Sequence, residues 1–459
     1  MLILISVFVL IIFTLNFLLS QDNIIYGNQL KPKALPILTD LGLKVQLIFQ
    51  GNFDVLPNQS SPVSTMAFVG KDILILNKNT GTVNRINNGT LLDTPLLDVN
   101  VANKLERGLL GIATSKAADS DLEYVFLYYT ESKKIDGSDV CNTTYYCMPG
   151  TEPLANRVYK YELKYQNNSE GKLVNPKLLL NLPANPAPSH SGGIITIGSD
   201  NNLYITIGDL VGSVNSSSST KAQNIKNGTE PDGRAGILRI TQDGKPVNNG
   251  ILGNSYPLNL YYAYGIRNSF GIDFDPVTGN LWDTENGPDY GDEINLVEPG
   301  FNSGWMTVQG LWTPISSHES NRDLAAGSIM LNDIDFISFE GKGKYSPPEF
   351  IWKNTVGPTA IKFFNSDKLG STYKNDLFVG DNNLGNIYHF DLSKNRTELS
   401  LTGTLEDKIA DSHDELKDIV FGQFFDGITD MDVGPDGYLY ILSHKGEEMY
   451  IYRIVAKDE

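Results

Sequence analysis

The residues with the most chemistry to offer lie between Tyr264 and Trp305. Arg267 and Asn268 close one apparent strand, and a second short strand, Asn280 to Thr284, follows a D-P-x-T-G turn. Next comes a loop of oxygen-bearing side chains, Glu285, Asn286, Asp289, Asp292 and Glu293, bent by Gly287, Pro288 and Gly291. Glycines let backbone carbonyls approach an ion, and carboxylates supply the charge that a hard cation such as Ca²⁺ requires. A fixed arginine could clamp an anion or stabilise developing negative charge beside such a loop. Each feature also has a plainer reading. A lone acidic loop is more often a solvated turn, and an Arg-Asn pair at a strand end can simply bond backbone carbonyls.

His190 is one of five histidines and sits in the turn Ser-His-Ser-Gly-Gly just before a strand. On a glycine-flanked loop an imidazole can meet a ligand and act as a base near neutral pH, although a lone turn histidine is more often ordinary. His318, His389, His413 and His444 have no comparable setting, and His389, in a strand-like run, reads as structural. No two histidines have zinc-ligand spacing, which argues against a catalytic zinc. Glu106-Arg107, ahead of Gly-Leu-Leu-Gly, reads as a buried ion pair or a turn. The chain has no G-x-S-x-G elbow, P-loop or dinucleotide fingerprint, so hydride transfer to NAD is unsupported.

The elements that must hold these residues recur. A turn rich in Asp, Asn or Gly leads into a short strand, with further turns and strands following, at Gly70, Ser120, Ser199, Asp275, Lys374 and Gly434. Six approximate copies with unequal insertions suggest propeller blades, with an irregular β-sandwich as the alternative. The expected fold is therefore all-β, a six-bladed β-propeller over residues 41–459. Asp407 to Lys417 could form a short polar helix, and the Ser216–Thr220 run reads as a flexible insertion.

The first nineteen residues carry no charge, so residues 1–20 read as a signal peptide or a membrane anchor and 21–40 as a linker. The net charge of −18 argues against nucleic acid and against a polybasic membrane surface. In an exported chain the close pair Cys141 and Cys147 is expected to close a disulfide loop. Seven N-x-S/T triplets, at Asn58, Asn88, Asn142, Asn167, Asn215, Asn227 and Asn395, are compatible with an extracytoplasmic glycoprotein, secreted or tethered.

Taken in order, GLLGIA from Gly108, H-x-G-G from His190 with its following I-x-I-G-x-D-x-x-L-Y-x-T-x-G-D, G-x-R-N from Gly265, E-N-G-P-x-x-x-D-E-I-N-L from Glu285, N-x-G-W from Asn302 and G-P-D-G-x-L-Y from Gly434 resemble the quinoprotein sugar dehydrogenases of the glucose and aldose sugar type. The resemblance spans roughly residues 40 to 455 and implies a six-bladed propeller. It also implies oxidation of a sugar or related alcohol by pyrroloquinoline quinone (PQQ) polarised by Ca²⁺, with electrons passed to an acceptor. On that resemblance His190 matches the general base, and Arg267, Asn268, Thr355 and Glu106 match cofactor-pocket positions. Gly287 and Pro288 match carbonyls holding the cofactor calcium, and Asp292 and Glu293 match acidic positions near a second, structural calcium.

The sequence also departs from that pattern. Asn383 stands where the glucose enzymes place a lysine, Gly427 and Thr429 where they place two arginines, and Ser189 where they place an acid; Glu106 replaces a glutamine. Lys353 is a cation that could compensate. Two functions follow: a PQQ- and Ca²⁺-dependent oxidoreductase, or a catalytically silent extracellular propeller that binds a glycan or a protein.

Overall fold

Runs such as Asp72–Asn77 (DILILN), Asn202–Ile207 (NLYITI) and Leu439–Lys445 (LYILSHK) are buried at almost every position, not at every second one. Such strands must be covered on both faces, and the architecture supplies that cover by stacking sheets. The computed structural model describes residues 34–53, 61–117, 121–132, 153–166, 170–210, 219–312 and 334–459. Among them, regular helix is limited to short 3-10 turns, and the strands form six sheets. The fold is an all-β propeller.

Each sheet begins with an inner strand: Val63–Val69, Leu109–Lys116, Ile195–Ile197, Ser269–Phe274, Pro358–Phe363 and Gly427–Val433. Each inner strand touches the next, and the last touches the first, so the ring is closed. The six recurring segments of the sequence each supply the second strand of a different sheet. The final sheet is completed from the other end of the chain: Leu43–Asn52 pairs antiparallel with Glu448–Ala456, from Leu43 opposite Ala456 to Asn52 opposite Glu448.

The hydrophobic core lies between neighbouring sheets. Trp282, Phe350 and Trp352 of the fourth sheet share one apolar cluster with Phe363, Tyr388 and Phe390 of the fifth, and a second cluster runs from Phe378 of the fifth through Ile428 and Tyr450 of the sixth to Ile75 of the first. Fully burying one such aromatic stabilises by about 2–3 kcal/mol. Polar ties join the inner strands. Lys362 Nζ lies 3.3 Å from Asp273 Oδ1 and 3.0 Å from Asp432 Oδ1, and Asp430 Oδ2 accepts the Met66 N–H at 2.8 Å.

Two local expectations change. Asp407–Lys417 is not a helix: 3-10 turns at Gly403–Asp407 and Glu415–Asp418 flank Ile409–Ala410, which pairs in parallel with Ile351–Trp352. Burying Ile409 and Ala410 in that pairing overrides the local helical preference. Ile37–Leu38, inside the expected linker, pairs with Val420–Gln423 and so belongs to the fifth sheet. The export segment and the Cys141–Cys147 pair lie outside the described residues.

Candidate active site

The N-terminal ends of all six inner strands converge on one cavity of about 380 Å³, whose wall includes Ser64, Leu110, Ile194, Phe270, Thr359 and Thr429. Loops at the same end bring Lys78, Glu106, His190, Arg267, Asn268, Asn286, Gly287, Pro288, Asp292, Thr355 and Asn383 to its wall. Nearly the whole predicted constellation is thus gathered in one place; Glu293 lies behind the wall.

His190 adopts a left-handed backbone, φ 58°, followed by Gly192 and Gly193 at 56° and 106°. A side chain on Gly193 would meet Leu110 Cβ at 2.7 Å, so the tight turn requires glycine there. Left-handed backbone at a histidine costs about 1–2 kcal/mol and persists only when its surroundings hold it. They do so here. Glu106 Oε2 accepts the His190 N–H at 2.7 Å. Arg107, instead of pairing with Glu106, donates to the carbonyls of Ala184 and Ala187 in the loop that leads to His190.

The ring is oriented by a residue outside the sequence prediction. His190 Nδ1 lies 2.5 Å from Asp209 Oδ1, while Asp209 Oδ2 accepts the Trp305 indole N–H at 2.7 Å and Gln223 Nε2 at 3.5 Å. Burial would raise the Asp209 carboxyl, but the His190 bond, with the Arg267 charge and the Trp305 bond, outweighs burial and holds it at about 2. Asp209 is therefore an anion at neutral pH. It fixes the proton on Nδ1 and leaves Nε2 as the basic nitrogen.

Arg267 is half-buried at the cavity wall. Its Nη1 donates to the Asn286 carbonyl at 2.7 Å, its guanidinium lies 5.4 Å from the Trp305 ring centre, and its Nε meets no hydrogen-bond partner. Burial pulls its pKa down, opposed by Asp209, Glu106, Glu285 and Asp292. Asn268 is a bracket: Oδ1 accepts the Gly192 N–H at 3.2 Å, and Nδ2 donates to Glu106 Oε2 at 3.1 Å.

The acidic loop is no solvated turn. Asp292 Oδ1 accepts the Gly287 N–H at 2.8 Å, and Oδ2 accepts the N–H groups of Val356 and Gly357 at 2.7 and 2.8 Å. It thereby braces the Gly287-Pro288 turn against the Thr355 loop; burial pushes its pKa up to about 6. Gly287 has no room for a side chain, since a Cβ would lie 2.0 Å from the Tyr290 carbonyl oxygen. Behind the loop, Glu285 faces Glu293 across paired strands and Asp283 faces Asn295. Burial raises Glu285 to about 7 and pushes Asp283 and Glu293 well above the carboxylate range, with mutual repulsion adding. Glu293 accepts from Gln309 and Ser303 at 2.9 and 3.3 Å, whereas neither Asp283 oxygen meets a donor in bonding geometry.

The remaining wall is mostly neutral. Asn382, Asn383, Thr359 and Thr429 line it, and the buried Thr429 hydroxyl meets no hydrogen-bond partner. A side chain on Gly427 would meet Asn382 Nδ2 and His444 Nε2, both at 2.8 Å. Lys353 does not reach this wall; its Nζ lies 2.9 Å from Asp411 Oδ1. The cation that does reach it is Lys78, which the sequence presents only as part of an N-K-N-T-G turn.

A sequence model described as Glucose / Sorbosone dehydrogenase matches residues 60–453. An aldose sugar dehydrogenase of Escherichia coli is 30% identical over 210 residues, covering 45% of this chain and 47% of its own length. Quinoprotein glucose dehydrogenase B of Acinetobacter calcoaceticus is 30% identical over 282 residues, covering 56% and 53%. The chain thus spans about half the length of these relatives. Among solved structures, the apo soluble aldose sugar dehydrogenase of Escherichia coli superposes with TM-score 0.62 at 18% identity, covering 90% of this chain and 100% of that one. The PQQ-bound enzyme of Streptomyces coelicolor gives 0.57 at 19% identity, covering 90% and 98%. These structures share the fold.

Proposed function

The chain belongs to the glucose/sorbosone dehydrogenase family, and from that premise we propose that it is a quinoprotein oxidoreductase oxidising the CH–OH group of a sugar or related alcohol with PQQ and Ca²⁺. The observation that carries the reading is His190 on the wall of the cavity, with its ring bonded to the fully buried Asp209. We read the six sheets as six blades around that cavity.

The residues present suit the group. The cavity is of the size that takes small cofactors. Arg267 Nε, Asn286 Oδ1 and Thr429 Oγ1 are buried polar atoms of its wall without hydrogen-bond partners, as expected where a polar ligand completes the bonding. Arg267, Asn268, Asn286, Thr355 and Glu106 would surround the cofactor. The carbonyls of Gly287 and Pro288 would face its calcium, in a turn that Asp292 holds rigid. The buried acids Asp283, Glu285 and Glu293 suit a second, structural cation, whose charge would offset their repulsion.

When bound, PQQ with Ca²⁺ supplies an electrophile that accepts a hydride. The protein's part is positioning and proton transfer. His190 Nε2 takes the hydroxyl proton, and the Asp209 anion stabilises the imidazolium that forms. Arg267 opposes negative charge developing across the cavity. The two electrons gained must then leave to a separate acceptor. Exposed Asn88, Asn227 and Asn395 support an extracytoplasmic setting, secreted or tethered through residues 1–20.

The second reading, a silent propeller binding a glycan or protein, is favoured by one observation: Asn382 and His444 fill the space beside Gly427, leaving that wall neutral. Dye-linked turnover of an aldose panel, with PQQ and Ca²⁺ added, separates the two. Turnover that falls at least about 100-fold in His190→Ala supports the enzyme. Its absence in the PQQ-loaded wild type leaves the binding module.

A further inference from the structure

We propose that Lys78 is the cation that receives a carboxylate of the bound cofactor on the otherwise neutral wall of the cavity. This rests on the PQQ reading above and assigns a ligand contact to a residue that reading leaves idle.

Lys78 directly follows the second strand of the first sheet, Asp72–Asn77, whereas Arg267 enters from the fourth sheet, across the ring. These two are the lysine and arginine side chains of the cavity wall among the described residues. The amine is fixed in place. Nζ donates to the Leu105 carbonyl at 2.6 Å and to Asn79 Oδ1 at 3.3 Å, and the Lys78 backbone packs so tightly on Gly108 that a side chain there would lie 2.2 Å from the Lys78 carbonyl oxygen. Around this part of the wall stand Asn382, Asn383 and Thr429, none of them charged. The acid that faces Lys78 is Glu106, which already accepts from His190, Ser191 and Asn268. His444 faces it from the sixth sheet, and burial, with the Lys78 charge contributing, lowers that imidazole to about 4, so it stays neutral. His190, Arg267 and Asp292 complete the charged and titratable groups of the wall.

Burying an ammonium is costly unless an anion is brought to it. Burial pulls Lys78 down to about 7 while Glu106 opposes the fall. A carboxylate arriving beside it favours the protonated amine, so binding draws a proton onto Lys78 just above neutrality. PQQ carries three carboxylates, and Arg267 lies across the ring from Lys78. An arginine at position 427 could not take this role without displacing Asn382 and His444.

The test is calorimetric titration of PQQ and, separately, its neutral trimethyl ester into Ca²⁺-loaded protein, for wild type, Lys78→Met and Lys78→Arg. One lost charge-assisted bond should weaken PQQ by about 10- to 100-fold in Lys78→Met. The ester should bind all three proteins alike, and Lys78→Arg should keep most of the PQQ affinity. Wild type titrated at pH 8 in buffers of different ionisation enthalpy should take up protons with PQQ and none with the ester. This arm needs no variant to fold. Lys78→Met binding PQQ as wild type does, Lys78→Met losing PQQ and ester equally, or no proton uptake would each overturn the assignment. Wild type that binds no PQQ overturns the cofactor reading and this inference together, whereas wild type that binds it independently of Lys78 overturns the inference alone.

Discussion

Replacing Asp209 by Asn removes the anion that holds His190 while keeping the size of the side chain. The ring and carboxylate are bonded at 2.5 Å. With charge centres about 4 Å apart, an imidazolium and a carboxylate attract by about 4 kcal/mol at an effective dielectric of about 20. At about 1.4 kcal/mol per decade, turnover should fall about 10³-fold. An asparagine amide can also donate to Nδ1, moving the ring proton to Nε2, where it blocks proton abstraction. Stability changes less. The carboxyl is held at about 2 against an ordinary 3.8, which amounts to about 2 kcal/mol or less. A depressed carboxylate contributes above its unfolded pKa, so this stability is present above about pH 4 and lost as pH falls toward 2. The assay is dye-linked turnover beside selectively labelled histidine NMR, which reads the His190 tautomer directly. A folded Asp209→Asn protein retaining turnover within a few-fold, or an unchanged tautomer, would refute the role given to Asp209.

Three further outcomes follow from the same geometry. In protein stripped of Ca²⁺ by a chelator, Glu285 is raised by burial to about 7 from an ordinary 4.5, so the folded state holds its proton longer than the unfolded state, and the melting temperature should fall as pH rises from about 4.5 through 7; Glu285→Gln should flatten that slope. Asp292→Ala leaves three backbone N–H groups without their acceptor, which should destabilise the fold by about 2–4 kcal/mol in urea melts and weaken Ca²⁺ affinity. Trp352→Ala opens a cavity between the fourth and fifth sheets and should cost about 3–5 kcal/mol in the same melts without altering ligand affinity.

Much of this was legible because the second strands are sequence-local. DILILN, NLYITI and LYILSHK announce themselves by their apolar runs. The inner strands do not, because they face a polar channel; Val63–Val69 reads V-S-T-M-A-F-V. His190 and the Gly287-Pro288 loop were visible from glycine-rich turns. Asp209 was missed although it ends a quoted motif, since its partner lies 19 residues away across a hairpin of two strands. Lys78 looked like any turn lysine, because only ring closure turns its amine inward. Asp292, read as a cation position, accepts three N–H bonds whose donors lie as far away as Val356 and Gly357, a pairing no local pattern carries. The neutral wall was readable at Gly427, but its cause, the side chains of Asn382 and His444, was not.

The central claim is tested most directly by titrating PQQ into the protein by calorimetry, first with Ca²⁺ and then with Ca²⁺ chelated, for wild type and Arg267→Ala. The account predicts saturable binding that weakens on chelation and falls at least about tenfold in Arg267→Ala. No heat of binding at high micromolar PQQ with Ca²⁺ present would contradict it.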